Sequence, residues 1–306
     1  MTVPLTVLIA THNRGAILER TLDALARQTT PDVRVVVVDD GSTDGTWEWL
    51  QARAATGGTP QLRVARQEHR GQGPARNLGL REVDGGLVAF LGDDILVRPQ
   101  WAAEHLAAHD ASPGPRGVVG FTDWCRGELR VTPAMEMVNR EGHQFGYGHM
   151  TAGAEVPFTC FYTSNLSLPR ALLGSSPFDE SFTAYGWEDV ELGYRLSREG
   201  LRLVYHPAAA SEHLHTMDLT TLFERQRAVG RGVHTLLRLH PELAGSPHLS
   251  PPSPPGWFPL GRRVTPLLLP LLTALDRRGV PLTTRVLHRV LMCGYYLGQE
   301  EGAPSV

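Results

Sequence analysis

The chain has 306 residues, 42% of them hydrophobic and 20% charged, which is enough apolar material for one large core or two small ones. A formal net charge of −3 excludes a bulk electrostatic grip on nucleic acid, which needs a basic excess. Three scattered cysteines, Cys125, Cys160 and Cys293, make neither a disulfide framework nor a zinc knuckle and read as free thiols in a reducing compartment.

The N-terminus lacks the basic n-region of a secretion signal, and no window approaches the ~20 apolar residues of a membrane span, so the expected location is cytoplasmic. Val7 to Ala10 reads as a short buried strand, and Ile17 to Leu25 carries apolar residues at helical spacing. Val33 to Val38 is rich in valine, as befits a parallel strand covered on both faces. It runs into Asp39-Asp40-Gly41-Ser42-Thr43-Asp44-Gly45, a turn sequence that leads into a helix over Trp47 to Ala55. Leu62 to Ala65 is the next strand, Pro74 to Arg81 a helix, and Leu87 to Leu91 a strand ending on Gly92-Asp93-Asp94. Further on, the pattern predicts a helix from about Trp187 to Arg198, a strand over Leu201 to Tyr205 and a helix over Leu219 to Leu239. His248 to Pro259 is a proline-rich linker, and Arg262 to Gly298 forms two short helices broken near Pro281.

The alternation of strand, polar loop and helix is the signature of an α/β fold with a mostly parallel sheet. Ligands of such sheets bind beyond the carboxyl ends of the strands. Thr11-His12-Asn13, Asp39-Asp40 and Asp93-Asp94 all sit at strand ends, so the fold is expected to gather them in one crevice.

Four ordered motifs carry a resemblance: Val7 to Arg14, Val38 to Asp44, Gly73 to Gly79, and Phe90-Leu91-Gly92-Asp93-Asp94. Together they look like glycosyltransferase family 2. The resemblance implies a GT-A fold, Rossmann-like, with a nucleotide-binding part over 1–120 and an acceptor-binding part over 121–245. A linker over 246–260 and a C-terminal helical extension over 261–306 complete the expected organisation.

The same resemblance implies transfer of sugar from a nucleotide-sugar, with UDP the first expectation, to a glycan, lipid-linked or small-molecule acceptor, with inversion. It assigns Thr11, Asn13, Arg14, Asp39, Asp40, Arg76, Asp93 and Trp187 to the nucleotide-sugar. For Asp39, turn formation weighs as much as a ligand contact; for Asp40, contact is favoured. A leaving diphosphate calls for a divalent cation, Mn2+ or Mg2+, and hard ions prefer carboxylate oxygen. Asp94 is the expected ligand, joined by His213 or His215, although Gly92 replaces the first aspartate of a full acidic motif. Gly186-Trp187-Glu188-Asp189 is similar to the element that supplies the catalytic base in this family, which points to Asp189, with Glu188 beside it as an acceptor contact. Glu191 and Arg195, four apart on a helix, read as an ion pair.

Trp124, Phe161, Tyr162, Tyr185 and Trp187 are the aromatic candidates for stacking on sugar, and only Trp187 is assigned there. Asn165 reads equally as a donor-sugar contact or as buried polar support. Two other functions compete. A nucleotidyltransferase would want a glycine-rich basic loop after the first strand, which Thr11 to Gly15 matches poorly; the incomplete acidic motif prompts a non-catalytic sugar-nucleotide-binding scaffold. In the C-terminal segment, arginines flank the apolar run Thr265 to Leu275, and Pro266 and Pro270 are expected to interrupt it. A helical pair on the catalytic domain or at a homodimer contact is the first reading, a peripheral membrane-surface helix the second.

Overall fold

The computed structural model describes residues 4–30, 32–58, 60–111, 114–142, 145–183, 186–246, 249 and 253–303. Its strands are β1 (Leu5–Thr11), β2 (Val33–Asp40), β3 (Gln61–Gln67), β4 (Leu87–Leu91), β5 (Ile95–Val97), β6 (Arg116–Trp124), β7 (Glu155–Val156), β8 (Asn165–Pro169) and β9 (Arg202–His213). Its helices are α1 (Gly15–Ala26), α2 (Thr46–Ala55), α3 (Gln72–Leu80), α4 (Trp101–Asp110), α5 (Pro133–Glu141), α6 (Glu188–Arg198), α7 (Leu219–Leu239), α8 (Phe258–Arg277) and α9 (Thr284–Gly302). The chain divides into two compact units. One takes residues 1–127, 150–180 and 188–215; the other takes 128–149, 181–187 and 216–306.

The first unit holds one mixed sheet in the order β3-β2-β1-β4-β8-β6-β9-β5, with β7 on the side of β9. The valines of β2 explain its place: nearly every residue is buried because parallel neighbours β1 and β3 flank it and apolar clusters cover both faces. Fully burying each such side chain contributes roughly 1.5–3 kcal/mol over leaving it exposed. β1 pairs in parallel with β4 as well, so the carboxyl ends of β1, β2 and β4 lie side by side. β8 runs antiparallel to both β4 and β6.

β9 is much longer than the sequence pattern implied. It runs parallel to β6 through a register irregularity between Gly120 and Phe121, and its last residues pair antiparallel with β5. His213 is thus the final residue of a strand rather than part of a segment after it. At the start of β8, Asn165 is fully buried. Its Oδ1 accepts from Trp101 Nε1 at 2.8 Å, and its Nδ2 donates to the Ala209 carbonyl and to Ser211 Oγ, both at 3.1 Å. It is the polar support of the sheet, the second of its two expected roles.

The second unit contains α5, α7, α8 and α9. α7 and α9 approach closely through glycines. A Cβ on Gly298 would run into the Arg227 carbonyl, and one on Gly230 into the Tyr295 carbonyl. Asp218 caps α7 by accepting from Thr221 N at 2.8 Å, and Arg277 of α8 pairs with the same carboxylate. Buried Asp276 accepts from Ala134 N at 2.9 Å in the first turn of α5.

The break near Pro281 falls where expected, but α8 starts at Phe258, inside the expected linker, and continues straight through Pro266 and Pro270. Both prolines lie on its exposed side, where water can satisfy the carbonyls that lose a helical donor. Of the linker, residues 247–248 and 250–252 lie outside the described residues. Among the described residues no helix is long and apolar enough to cross a membrane.

The glycine contact yields a stability prediction. Gly298→Val forces α7 and α9 apart and should lower the unfolding free energy by about 1–3 kcal/mol, read by denaturant titration. An unchanged midpoint would contradict the contact.

Candidate active site

The site starts from two buried carboxylates. Asp93 and Asp94 follow β4 and are each 7% exposed. Thr11, the last residue of β1, donates from Oγ1 to Asp93 Oδ2 at 2.8 Å, and Thr21 donates to the Asp93 carbonyl at 2.8 Å. Leu214 N donates to the Asp94 carbonyl at 2.8 Å, tying the end of β9 to the same turn. Gly92 leaves room for this packing: a Cβ there would lie 2.9 Å from Ile95 Cγ1 and 3.1 Å from Asp94 Oδ1.

Adjacent carboxylates repel, and burial opposes their ionisation. The Asp93 carboxyl is raised to about 6, chiefly by burial and then by the charge of Asp94. Burial also raises Asp94, but His213, His215 and Arg14 outweigh it and hold the group well below the usual carboxylate range. His213 Nε2 is 3.1 Å and His215 Nδ1 3.4 Å from Asp94 Oδ2. The His213 ring stacks on Trp124, with centroids 5.2 Å apart. Arg14 reaches both acids, 3.3 Å from Asp93 Oδ1 and 2.7 Å from Asp94 Oδ2, and lies 3.0 Å from His215 Nδ1.

A carboxylate with two imidazoles offers donor types that divalent cations take. The arrangement at hand, however, is built around the guanidinium. Among the described residues, no group of three or more His, Cys, Asp or Glu side chains is disposed to hold an ion. The donor types fit a divalent cation, and admitting one requires Arg14 to turn away.

The end of β2 has a different character. Asp40 accepts on Oδ1 from Gln67 Nε2 at 2.7 Å and Arg70 N at 2.9 Å. On Oδ2 it meets Gly71 N at 2.8 Å and His69 Nδ1 at 2.9 Å. A carboxylate offers about four lone-pair sites, and in this arrangement those of Asp40 hold the β3–α3 loop. Asp39 is fully buried, accepting from Ser42 N and pairing with Arg66 Nε at 3.1 Å, which is the turn-forming role. Gly41 has φ +76°, and a Cβ there would lie 2.6 Å from His69 N.

Asn13 is also part of the frame. It takes φ +54°, a conformation asparagine tolerates, and bridges Ser42 Oγ and Thr43 N at 2.8 and 2.7 Å. Beside it, the rings of His12 and His69 stack with centroids 4.1 Å apart. That pair escaped the sequence reading because stacking across two loops leaves no trace in local spacing.

The third group stands on α6. Arg76 of α3 donates to Glu188 Oε1 at 2.9 Å and Gln72 Oε1 at 2.6 Å, and its guanidinium lies 5.5 Å from the Phe178 ring centroid. In this arrangement Arg76 is engaged with Glu188, and Glu188 is held as its counter-ion. Next to this pair, half-buried Asp189 is raised to about 7, first by burial and then by the charge of Glu188, with Arg76 opposing. The helix N-terminus suits the two carboxylates. Glu191 and Arg195 form the expected pair at 2.7 Å. The loop before α3 joins this group to β2: Arg70 N donates to Asp40, while the Arg70 guanidinium pairs with Glu180 at 2.6 Å.

Trp187 belongs to the second unit, with its Nε1 donating to the Val229 carbonyl at 2.7 Å and its ring against Gly232. The indole thus packs on α7. Its φ of +77° is strained for a bulky residue, a cost on the order of 1–3 kcal/mol. Trp124 and Phe161 are core residues, Tyr162 is half-buried against the same core, and Tyr185 lies outside the described residues.

In the first unit, then, Thr11, Arg14, Asp93, Asp94, His213 and His215 touch directly, and Asp39, Asp40 and Asn13 brace the adjoining strand end. Arg76, Glu188 and Asp189 stand at the other end of the loop that Asp40 anchors.

The comparisons with known proteins agree with this architecture. The chain is 38% identical over 251 residues to validoxylamine A glucosyltransferase of Streptomyces hygroscopicus subsp. jinggangensis, covering 71% of this chain and 58% of that protein. It is 29% identical over 258 residues to chondroitin synthase of Escherichia coli, covering 75% and 37%. The chain spans little more than half the length of the validoxylamine A glucosyltransferases it matches. Among solved structures, the Pyrobaculum calidifontis mannosyltransferase PcManGT in complex with GDP-Man and Mn2+ superposes with a TM-score of 0.61 at 18% identity, over 99% of this chain and 87% of that one. S. aureus TarS 1-349 in complex with UDP gives 0.51 at 18%, over 97% and 90%. These likenesses share the GT-A fold expected here. The profile of Glycosyl transferase family 2 matches residues 6–165, more than half of the chain, and the protein belongs to that family.

Proposed function

We propose that this protein transfers a glycosyl group from a nucleotide-sugar to an acceptor hydroxyl, with Asp189 as the general base. One observation carries the reading. A single unit holds both a buried acid pair gripped by a cationic group and, on α6, a carboxyl raised to about 7. The first suits a divalent cation that would face a polyanionic leaving group; the second suits proton removal near neutral pH.

In the step proposed, the acceptor oxygen attacks the anomeric carbon as its proton passes to an Asp189 carboxylate oxygen. The bond from that carbon to the diphosphate oxygen breaks, and the nucleoside diphosphate departs with the bonding pair. A single displacement inverts the anomeric configuration. Burial and then the charge of Glu188 raise the basicity of Asp189, and Arg76 keeps Glu188 in place. Asp94, His213 and His215 would hold a divalent ion, Mn2+ in preference to Mg2+, which when bound supplies positive charge opposite the diphosphate. Once released from the acid pair, the Arg14 side chain becomes available to the phosphates. Likeness to the validoxylamine A glucosyltransferases makes a glucosyl donor the first to test, and UDP and GDP the first bases.

The test of the function is donor turnover. Purified chain with Mn2+ and a panel of UDP-, GDP- and dTDP-sugars should release nucleoside diphosphate slowly without acceptor. Release of pyrophosphate from a nucleoside triphosphate and a sugar 1-phosphate, with no diphosphate released from any nucleotide-sugar, would indicate a nucleotidyltransferase; binding without release, unaltered by Asp189→Asn, would indicate a scaffold. For the enzyme, Asp189→Asn should lower kcat about 10²–10⁴-fold while nucleotide still stabilises the protein in a thermal shift.

The pH profile follows from the sign of the shift. Asp189 accepts a proton only when ionised, so kcat/KM should rise with pH through a midpoint near 7. Glu188→Gln removes a charge that opposes ionisation and should move the midpoint to lower pH. A profile flat between pH 5 and pH 9 would rule out Asp189 as the base.

Arg14 gives a prediction independent of turnover. Arg14→Met should bind Mn2+ severalfold more tightly than the unaltered protein, measured by electron paramagnetic resonance of free Mn2+. Equal affinities would show that the guanidinium and the ion do not compete.

A further inference from the structure

α8 is apolar on two opposite sides. Phe258, Leu269, Thr273 and Asp276 lie on its buried side. Facing the other way, Leu260 is 70% exposed, Leu267 79% and Leu271 59%, with Val264 and Leu268 beside them. Steps of four, three, one and three residues put these five on one stripe, about 16 Å long at 1.5 Å per residue. Val280 after α8 and Val286 early in α9 are exposed as well. A single exposed leucine is ordinary, but a stripe of them marks a surface that meets something less polar than water.

Charge indicates what that is. Between Phe258 and Gln299 there are six arginines and one carboxylate, Asp276, which is buried against α5. Arg262 and Arg277 are paired, with Glu300 and Asp218. Arg263, Arg278 and Arg285 are exposed at the margins of the stripe. A second copy meeting this face about a two-fold axis would bring arginines against arginines, with no carboxylate from this segment between them. An anionic bilayer surface satisfies both features, taking leucine side chains into the headgroup–acyl boundary and arginines among the phosphates.

We infer that the outward face of α8, with the turn into α9, docks on an anionic lipid surface. The protein rests there in the plane of the interface, without crossing it. This reading does not depend on the transfer chemistry.

Vesicle sedimentation of the full chain tests it. The protein should sediment with phosphatidylcholine vesicles containing phosphatidylglycerol and bind pure phosphatidylcholine roughly a hundredfold more weakly, given three arginines near the surface. Added salt should weaken the anionic binding. Leu267→Glu with Leu271→Glu should abolish it; both positions are solvent-facing, so the denaturation midpoint serves as the folding control. Arg263→Gln with Arg278→Gln, which keeps the leucines, should weaken binding about tenfold or more and covers the case in which the first variant misfolds. Absence of sedimentation, binding indifferent to both variants, or equal binding to the two vesicle types would overturn the proposal. So would a dimer that the leucine substitutions dissociate while vesicles remain unbound, which would assign the face to a second copy.

Discussion

Two carboxylates buried side by side need a positive partner or must give up a charge, and much of the first unit is organised around that need. Asp93 takes up a proton more readily than a free carboxyl, and Asp94 stays ionised because His213, His215 and Arg14 surround it. Their positions account for much of the local chain. Thr11 ends β1 with its hydroxyl on Asp93, and β9 runs on to His213 beside Asp94. Gly92 has no side chain because one would crowd Asp94. A ligand bringing or attracting a different cation therefore changes the balance of the whole cluster.

The second carboxylate group obeys the same electrostatics with the opposite outcome. At α6, Glu188 takes the arginine and Asp189 is left with burial and a like charge, so its proton affinity rises. One protein thus holds an acid kept ionised and another poised near neutrality, the difference set by which partner each faces.

The sequence reading succeeded where a residue's role is written in its neighbours along the chain. The valines of β2 and the apolar run of β4 could only be covered strands, and α7 begins and ends where its periodicity does. α4 was missed because its alanines make no stripe, and β9 was cut short because Pro207 and three alanines look unlike a strand until β6 lies alongside. Pro266 and Pro270 suggested breaks, yet a helix tolerates proline where water replaces the missing bond.

For the site, strand-end acids were visible as chemistry but not as partners. Asp40 resembled a free acceptor because the donors that fill it, from Gln67 to Gly71, come from another strand end. The grip of Arg14 on Asp94 and Asp93 was not visible because it spans some eighty positions of sequence. The packing of Trp187 on α7 was not visible because its partner Val229 lies some forty positions further on. Asp189 required both the motif and its burial to stand out from an ordinary helix-start carboxylate. The central claim is that Asp94 governs whether a cation and a diphosphate come together. The direct measurement is Mn2+-induced relaxation of the two phosphorus nuclei of bound nucleoside diphosphate. The account predicts strong enhancement at both nuclei in the unaltered protein and its loss in Asp94→Asn with nucleotide still bound; enhancement that survives the substitution would contradict it.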